Sequence, residues 1–274
     1  MIERYLESLT KVRNLSQNSV RAYRQDLTDF ARWASVRGLR WSNVTKEDAA
    51  SWEMAMHDKG EKPATICRRV SALRSFYRWM VGQGWLQNNP IQYVQSPKKG
   101  ETLPRVIDLE AISRFLANPS RTRSGAMMQA MVALMTATGI RLQEALDLRR
   151  EDFDRKERSI RIKGKGNKER KVYYSQTTAI YLSAYAGKRK GYIFEVRDQR
   201  EVRRMMSETL GAYSGRVHPH MLRHTFATAM LNNGCDIKSL SQILGHESVK
   251  TTERYARVAQ ANLAEAMRSK SPLN

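Results

Sequence analysis

The stretch HPHMLRHTFATAMLNNGCDIKSLSQILGHESVKTTERYARV, His218 to Val258, brings His220, Arg223, His246 and Tyr255 into one short region. An arginine offers a planar fork of donors to phosphate oxygens, and a histidine can move a proton near neutral pH. A tyrosine hydroxyl can form a covalent intermediate. Together these residue types indicate chemistry on a phosphate group, and the rest of the chain decides whether that interpretation holds.

The charge of the chain points to a polyanionic partner. The 274 residues carry a formal net charge of +21, and 41% of them are hydrophobic, which is enough for a packed core. Residues 1–105 contain 18 Lys and Arg against 10 Asp and Glu, so the excess is not confined to a basic tail. Nucleic acid is the simplest such partner, although a generically basic protein, for example a ribosomal one, would share this charge.

Cysteine content and the N-terminal sequence bear on the compartment. Cys67 and Cys235 are far apart and form no CxxC pattern, so we expect neither a disulfide framework nor a zinc knuckle. The start MIERYLESLTKVR is charged throughout and lacks the apolar core of a signal peptide, and no apolar run is long enough to span a bilayer. We therefore expect a cytosolic or nucleoid-bound protein.

The hydrophobic pattern predicts two domains. In residues 1–90, apolar side chains recur at helical spacing and predict four or five helices, one of them opened by a capping box of Thr45 and Asp48. Residues 91–105 contain prolines and no helical period, which predicts a linker. The fold class that we predict is mainly α with a small β-sheet (α+β).

The second domain, residues 106–274, is predicted to surround that sheet with helices. A methionine-rich helix, Met127 to Met135, is interpreted as core rather than as a ligand site. The segment ERSIRIKGKGNKERKVYYS alternates around glycines and predicts two or three short strands. Its tip carries Lys165 between two glycines, where the backbone has the greatest freedom.

Further polar residues complete a candidate phosphate site, although each alone also fits an ordinary surface pair or a solvated turn. Arg141 begins a helix, whose N-terminus favours anions, and Glu144 lies one turn further on. His224 lies one turn from His220 and competes for its role, but the apolar residues beside it indicate a packed face, so we interpret it as structural.

A zinc site is the alternative use of these histidines. The candidate ligands are His218, His220, His224, His246 and Cys235. However, the His-x-His spacing fits a strand, no carboxylate is interleaved, and Arg223 would place a cation beside the metal. We therefore expect no metal.

Four segments in order resemble the motifs of the tyrosine recombinases, most closely the small Xer-type enzymes and simple phage or transposon integrases. These segments are TGIRLQEALDLR, IKGKGNKERKV, HPHMLRHTFATAML and LSQILGHESVKTTERYARV. In the N-terminal half, Leu15–Ala34 and Arg68–Met80 resemble the helical, SAM-like core-binding domain of that family. The resemblance covers essentially the whole chain and implies a core-binding domain followed by a catalytic domain.

The resemblance also implies an active site and a reaction. The implied catalytic residues are Arg141, Lys165, His220, Arg223, His246 and Tyr255, with Glu144 in support. Tyr255 would attack a DNA phosphate to form a 3′-phosphotyrosyl bond, His220 would accept its proton, and Lys165 would protonate the leaving 5′-oxygen. The bond energy stays in the protein–DNA link, so we expect no cofactor.

DNA contacts and assembly complete these expectations. Candidate DNA-binding residues are Arg68, Arg69 and Arg74 on the fourth helix, with Lys163 and Lys168 on the hairpin. The C-terminal VAQANLAEAMRS is predicted to dock on a neighbouring subunit through Leu263, Ala266 and Met267, in a tetramer on two DNA sites or with a related recombinase.

Two other functions remain open at this point. A type IB topoisomerase uses similar chemistry to relax supercoils without exchanging strands, and an architectural protein would bind DNA without cutting it. For a recombinase, the sequence leaves open chromosome dimer resolution and the movement of a phage or transposon.

Overall fold

The computed structural model describes residues 1–13, 15, 17–94, 104–164, 169–187, 189–246 and 251–258. Within it the chain divides into two compact units, Met1–Glu101 and Thr102–Asn274. Helices dominate both units, and a small antiparallel sheet lies in the second. The predicted α+β class, mainly α, is therefore confirmed.

The described part of the first unit contains four helices, α1 (Ile2–Arg13), α2 (Gln17–Ser35), α3 (Lys46–Asp58) and α4 (Pro63–Gly82). The predicted capping box is confirmed, since Thr45 accepts from the backbone of Asp48 and Asp48 accepts from the backbone of Thr45. Pro63 occupies the first turn of α4, where its missing N–H is not needed.

Aromatic side chains fill the core of this unit. Phe76 on α4 meets Tyr5 and Trp41 edge-on, at ring-centroid distances of 5.2 and 4.8 Å. Edge-to-face contacts of this kind stabilise a core beyond the area that they bury. Ile91 and Val94 are also buried in this core, so the first residues of the predicted linker pack with the helical unit.

The second unit begins with α5 (Leu109–Ala117), α6 (Arg123–Thr138) and α7 (Leu142–Asp147). The sheet follows, and then α8 (Gln176–Ala186), α9 (Gln199–Thr209), α10 (Gly211–Ser214), α11 (Pro219–Asn232) and α12 (Ile237–Leu244). A last described helix, α13, covers 251–258. Among the described residues, no helix is long and apolar enough to cross a membrane.

The sheet has three strands in the part of the chain that the structure describes, in the order β1 (Phe153–Asp154), β2 (Ser159–Lys163) and β3 (Glu169–Tyr173). The pairing is antiparallel, and Lys163 lies opposite Glu169 at the last register position before the hairpin turn. The predicted short strands around the glycines are thus confirmed. Most of the turn itself, residues 165–168, lies outside the described residues, and Lys165 and Lys168 lie there.

Helix α6 is the centre of the second unit. Almost its whole length is buried, and it packs against α8, α9 and α11. The interpretation of its methionines as core is confirmed, because Met127, Met128, Met131 and Met135 are all at most 1% exposed. A helix that is apolar on every side is stable only inside a core.

Gly139 ends α6 in a left-handed conformation with φ of 63°, and its carbonyl turns toward α11. A Cβ atom at this position would lie 2.3 Å from a ring carbon of Phe226. Glycine is therefore required both by the backbone angle and by the space. This turn brings Arg141 to the beginning of α7.

We expect Gly139→Ala to lower the free energy of unfolding by about 3 kcal/mol. The left-handed backbone costs about 1 kcal/mol with a side chain, and the collision with Phe226 adds about 2 kcal/mol. Gly234→Ala is the matched control, because Gly234 has φ of 85° but nothing within 4 Å of an added Cβ. Urea denaturation measures both variants, and equal losses would show that the contact with Phe226 is unimportant.

Candidate active site

Arg223 lies at the centre of the candidate site, on the first turns of α11. It is only 3% exposed, and its two terminal nitrogens donate to the carbonyl oxygens of Gly139 at 2.6 Å and Leu244 at 2.7 Å. Burial, together with the charge of Arg141, lowers the pKa of Arg223 to about 10, so the group remains a cation at neutral pH. The protein thus holds a positive charge in a largely dry position.

Arg141 caps α7 next to this charge. Its Nη1 atom donates to Glu144 at 2.9 Å, and its Nη2 atom donates to the carbonyl of Gly245 at 3.2 Å. The side chain is 39% exposed, so it keeps a face toward solvent. The carbonyls that accept from Arg223 and Arg141 belong to consecutive residues, Leu244 and Gly245, and the two guanidiniums therefore meet at one turn.

Glu144 is the carboxylate that balances part of this charge. Its side chain is 8% exposed and receives two parallel hydrogen bonds from Arg170, at 3.0 and 2.7 Å, besides those from Arg141. Burial by itself would raise the pKa of Glu144, but the hydrogen bonds from Arg170 and Arg141 outweigh it and lower the pKa below its ordinary value. These contacts hold the carboxylate of Glu144 between two arginines, and its supporting role in catalysis stays a prediction.

Arg170 is a site residue that the sequence analysis missed. It lies on β3, donates through Nε to the carbonyl of Ile243 at 2.9 Å, and so joins the sheet to the end of α12. A Cβ atom on Gly245 would come within 3.0 Å of its guanidinium. The available signal was the period of two along the strand, which puts Arg170 on the same face as buried Val172.

The histidines that flank Arg223 in sequence have different surroundings. His220 is exposed near the start of α11, and partial burial of its ring and the charges of His218 and Arg223 lower its pKa. The rings of His218 and His220 are 6.5 Å apart. His220 is thus close enough to Arg223 and Arg141 to feel their charges, and it is exposed to solvent.

His246 follows the turn at Leu244 and Gly245. Its Nδ1 atom lies 2.7 Å from the hydroxyl of Thr252, which is fully buried. Burial, assisted by Arg223 and Arg141, lowers the pKa of His246 to about 4, so its ring is neutral at pH 7. The contact with Thr252 fixes the plane of that ring.

Tyr255 lies on α13, 3% exposed, with its ring nearly parallel to that of His246 at a centroid distance of 6.3 Å. Its hydroxyl oxygen lies 3.0 Å from Nδ1 of His224. The local sequence predicts a packing role for His224, and the family resemblance implies that His220 serves the tyrosine. That interpretation missed the contact, because the position of α13 against α11 is not visible in local sequence.

The candidate DNA-binding arginines of the first unit have partners within that unit. Arg68 pairs with Asp26, and Arg74 donates to the carbonyls of Ile91 and Val94. Arg69 lies among carboxylates and is 19% exposed; its ion pairs are with Asp26, Asp29 and Glu61. Arg68, 48% exposed, keeps the most open side chain of the three.

We expect Glu144→Gln to lower the free energy of unfolding at pH 7 by about 3 kcal/mol, because it leaves the largely buried cation Arg170 and the partly buried cation Arg141 without a counter-charge. The lowered pKa of Glu144 means that its stabilisation is complete above the ordinary carboxylate pKa and is lost as the pH falls through the folded value. The difference between variant and wild type should therefore shrink on acidification from pH 7 to pH 3.

Urea denaturation at a series of pH values measures this difference. Glu157→Gln serves as the control, because it removes an exposed carboxylate that pairs with Lys171 and should change stability little. If the loss from Glu144→Gln were the same at pH 3 and pH 7, the contacts of Glu144 would not act through its charge.

Comparison with known proteins identifies the family. The family model described as the phage integrase family matches residues 105–262, and that of the phage integrase N-terminal SAM-like domain matches residues 2–84. Tyrosine recombinase XerC of Roseiflexus sp. (strain RS-1) is 30% identical, over 98% of this chain and 92% of its own length. Tyrosine recombinase XerC of Herpetosiphon aurantiacus is 33% identical, over 94% of this chain and 90% of its own length.

Solved structures share the fold. The XerH site-specific recombinase bound to a palindromic difH substrate has a TM-score of 0.79 at 20% identity, covering 98% of this chain and 83% of its own. The Tn1549 transposon integrase in complex with transposon right-end DNA has a TM-score of 0.73 at 17% identity, covering 96% of this chain and 99% of its own. The chain belongs to the phage integrase family and is a site-specific tyrosine recombinase, an enzyme that breaks and rejoins DNA strands.

Proposed function

We propose that Tyr255 attacks a DNA phosphate that is held by Arg141, Arg223 and His246. The observation that carries the proposal is the convergence of these residues on the turn at 244–246. Arg223 and Arg141 donate to the first two carbonyls of the turn, His246 is its third residue, and the Tyr255 ring lies beside the His246 ring. Three distant parts of the chain thus supply one site.

The charge of the site suits a phosphate. Arg141, Arg170 and Arg223 bring three positive charges, and Glu144 offsets one of them. The transition state of phosphoryl transfer carries extra negative charge on its non-bridging oxygens, and fixed guanidiniums stabilise that charge without moving. His246, neutral at pH 7, can donate a hydrogen bond to the same oxygens.

The reaction conserves the energy of the phosphodiester. In the proposed first step Tyr255 becomes linked to the 3′-phosphate and a 5′-hydroxyl leaves, protonated by Lys165, which lies outside the described residues. The 5′-hydroxyl of a second strand then attacks the phosphotyrosine and releases the enzyme. Exchange of one strand pair gives a Holliday junction, and neither ATP nor a metal ion enters these steps.

In this proposal one domain binds DNA and the other carries out catalysis and also contacts DNA. Residues 1–90 form the core-binding domain, 91–105 the linker, and 106–274 the catalytic domain. DNA contacts are assigned to Arg68, Arg69 and Arg74 in the first, and to Lys163 and Lys168 on the hairpin. Of these, Lys163 is exposed at the end of β2, and Arg68 is half-exposed, which supports their access to a phosphate backbone.

Assembly on DNA follows from the same proposal. A lambda integrase dimer bound to a core site is among the related solved structures. We assign to this chain a tetramer on two DNA sites, made of copies of itself or shared with a related recombinase, in the cytoplasm and associated with the nucleoid. The segment with Leu263, Ala266 and Met267, assigned to docking on the neighbouring subunit, lies outside the described residues.

We expect Tyr255→Phe to bind DNA with unchanged affinity and to form no covalent complex, because only the hydroxyl that would attack is removed. The probe is a duplex enriched by binding selection from a random pool, with single nicks placed across its centre so that a cleaved end diffuses away. Wild-type protein should accumulate a DNA adduct that survives denaturation, and the variant should show none.

Tyr181→Phe is the matched control, because it also removes one hydroxyl of the second unit, one that donates to the carbonyl of Leu116. It should form the adduct as wild type does. An adduct formed by Tyr255→Phe would show that another residue is the nucleophile. Incubation with a supercoiled plasmid that carries two copies of the selected site then separates strand exchange from relaxation alone.

A further inference from the structure

We propose that His224 is the proton acceptor for the attacking hydroxyl of Tyr255, and that His220 serves the phosphate instead. This inference rests on the proposed function, since it deepens the assignment of Tyr255 as nucleophile. Its first support is direct contact, because Nδ1 of His224 lies 3.0 Å from the hydroxyl oxygen that would attack. That distance is within the range required of a general base.

The burial of Tyr255 strengthens this assignment. The residue as a whole is 3% exposed, so little water surrounds it and an acceptor inside the protein is favoured for the phenolic proton. The ring of His224 is half-buried and lies 5.4 Å from the tyrosine ring, on the next helical turn after His220. An imidazole held in this way also fixes the direction of the phenol.

The protonation state of His224 is the one that an acceptor requires. Burial lowers the pKa of His224 to about 4, and the charge of Arg254 adds to the effect, so at pH 7 the ring is neutral. A neutral ring has one nitrogen with a free lone pair, and the phenol can donate to it. The entry of a DNA phosphate beside Arg223 would add negative charge and make the ring a stronger base.

The surroundings of His220 fit a different task. The residue is exposed overall although its ring is partly buried; this burial lowers its pKa, and the charges of Arg223, Arg203 and Arg141 add to the effect. The charge of Arg223 acts on both rings, but Arg203 and Arg141 act on His220, whereas His224 contacts the hydroxyl of Tyr255 and Arg254 is the charge that lowers its pKa most. Residues one turn apart on α11 therefore reach two different atoms of the same reaction.

The O–H bond of Tyr255 breaks and its proton moves to Nδ1 of His224, while the phenolic oxygen forms a bond to phosphorus. The bond between phosphorus and the 5′-oxygen breaks, and that oxygen leaves with the electron pair and takes a proton from Lys165. When the strand is rejoined, His224 returns its proton to Tyr255 and Lys165 regains its own.

The test is single-turnover cleavage of the selected, nicked duplex by His224→Asn. The asparagine amide can accept a hydrogen bond near the position of Nδ1 but is not a base, so it keeps the orientation and removes the proton transfer. We expect cleavage to be slower by about 100-fold, the usual contribution of a general base. The control, His218→Asn on the same helix terminus, should cleave at the wild-type rate.

A second substrate locates the defect within the step. Sulfur in place of the 5′-bridging oxygen gives a leaving group that needs no proton, so it should restore cleavage to Lys165→Ala but not to His224→Asn. His224→Ala should regain activity when imidazole is added to the buffer, as a free base enters the vacated space. Thermal unfolding and DNA affinity confirm that each variant is folded.

The outcomes separate the two proposals. If wild-type protein forms no Tyr255 adduct, the proposed function fails. If wild type forms the adduct and His224→Asn is equally fast or faster, His224 is not the proton acceptor and the proposed function stands. Restoration of His224→Asn by the sulfur substrate would also overturn the inference, because it would place the defect at the leaving group.

Discussion

The rest of the site depends on the two hydrogen bonds that the buried guanidinium of Arg223 donates. Its two partners, the carbonyls of Gly139 and Leu244, lie at the C-terminal ends of α6 and α12. Helix C-termini present unpaired carbonyls and the negative end of the helix dipole, so they are suitable neighbours for a cation out of water. Arg141 lies two residues after Gly139, and His246 lies two residues after Leu244. The hydrogen bonds of Arg223 to these two carbonyls therefore set the positions of Arg141 and His246.

An excess of positive charge follows from this arrangement. Glu144 is held by both Arg141 and Arg170, yet it compensates only part of the charge that the guanidiniums bring. Burial lowers the pKa of the nearby imidazole of His246, and the same excess of positive charge lowers it further, so the ring is neutral at pH 7. The excess positive charge is fixed by contacts within the protein, and in the proposed reaction it would supply the electrostatic preorganisation that phosphoryl transfer needs.

Packing of α13 against α11 determines which side chain contacts Tyr255, the proposed nucleophile. The aromatic ring of Tyr255 is buried with Phe226 and Leu244 in a small apolar cluster, and this burial brings its hydroxyl to His224. The contact of His246 with Thr252 holds the start of α13 to the turn that carries the arginines. Hydrophobic burial and two hydrogen bonds therefore align a helix whose own sequence gives little indication of its partner.

The sequence by itself determined the family, the helical character, the capping box of Thr45 and Asp48, and the burial of the methionines on α6. Each of these features depends on which residue types recur a few positions apart in the sequence, and such local patterns can be recognised without knowing how the helices and strands pack. Only the tertiary structure decided that Arg170 pairs with Glu144 and that His224, rather than His220, lies within hydrogen-bond distance of the Tyr255 hydroxyl. Those contacts join residues 26 and 31 positions apart in sequence, and their geometry is set by how whole helices and strands pack rather than by any pattern along the chain.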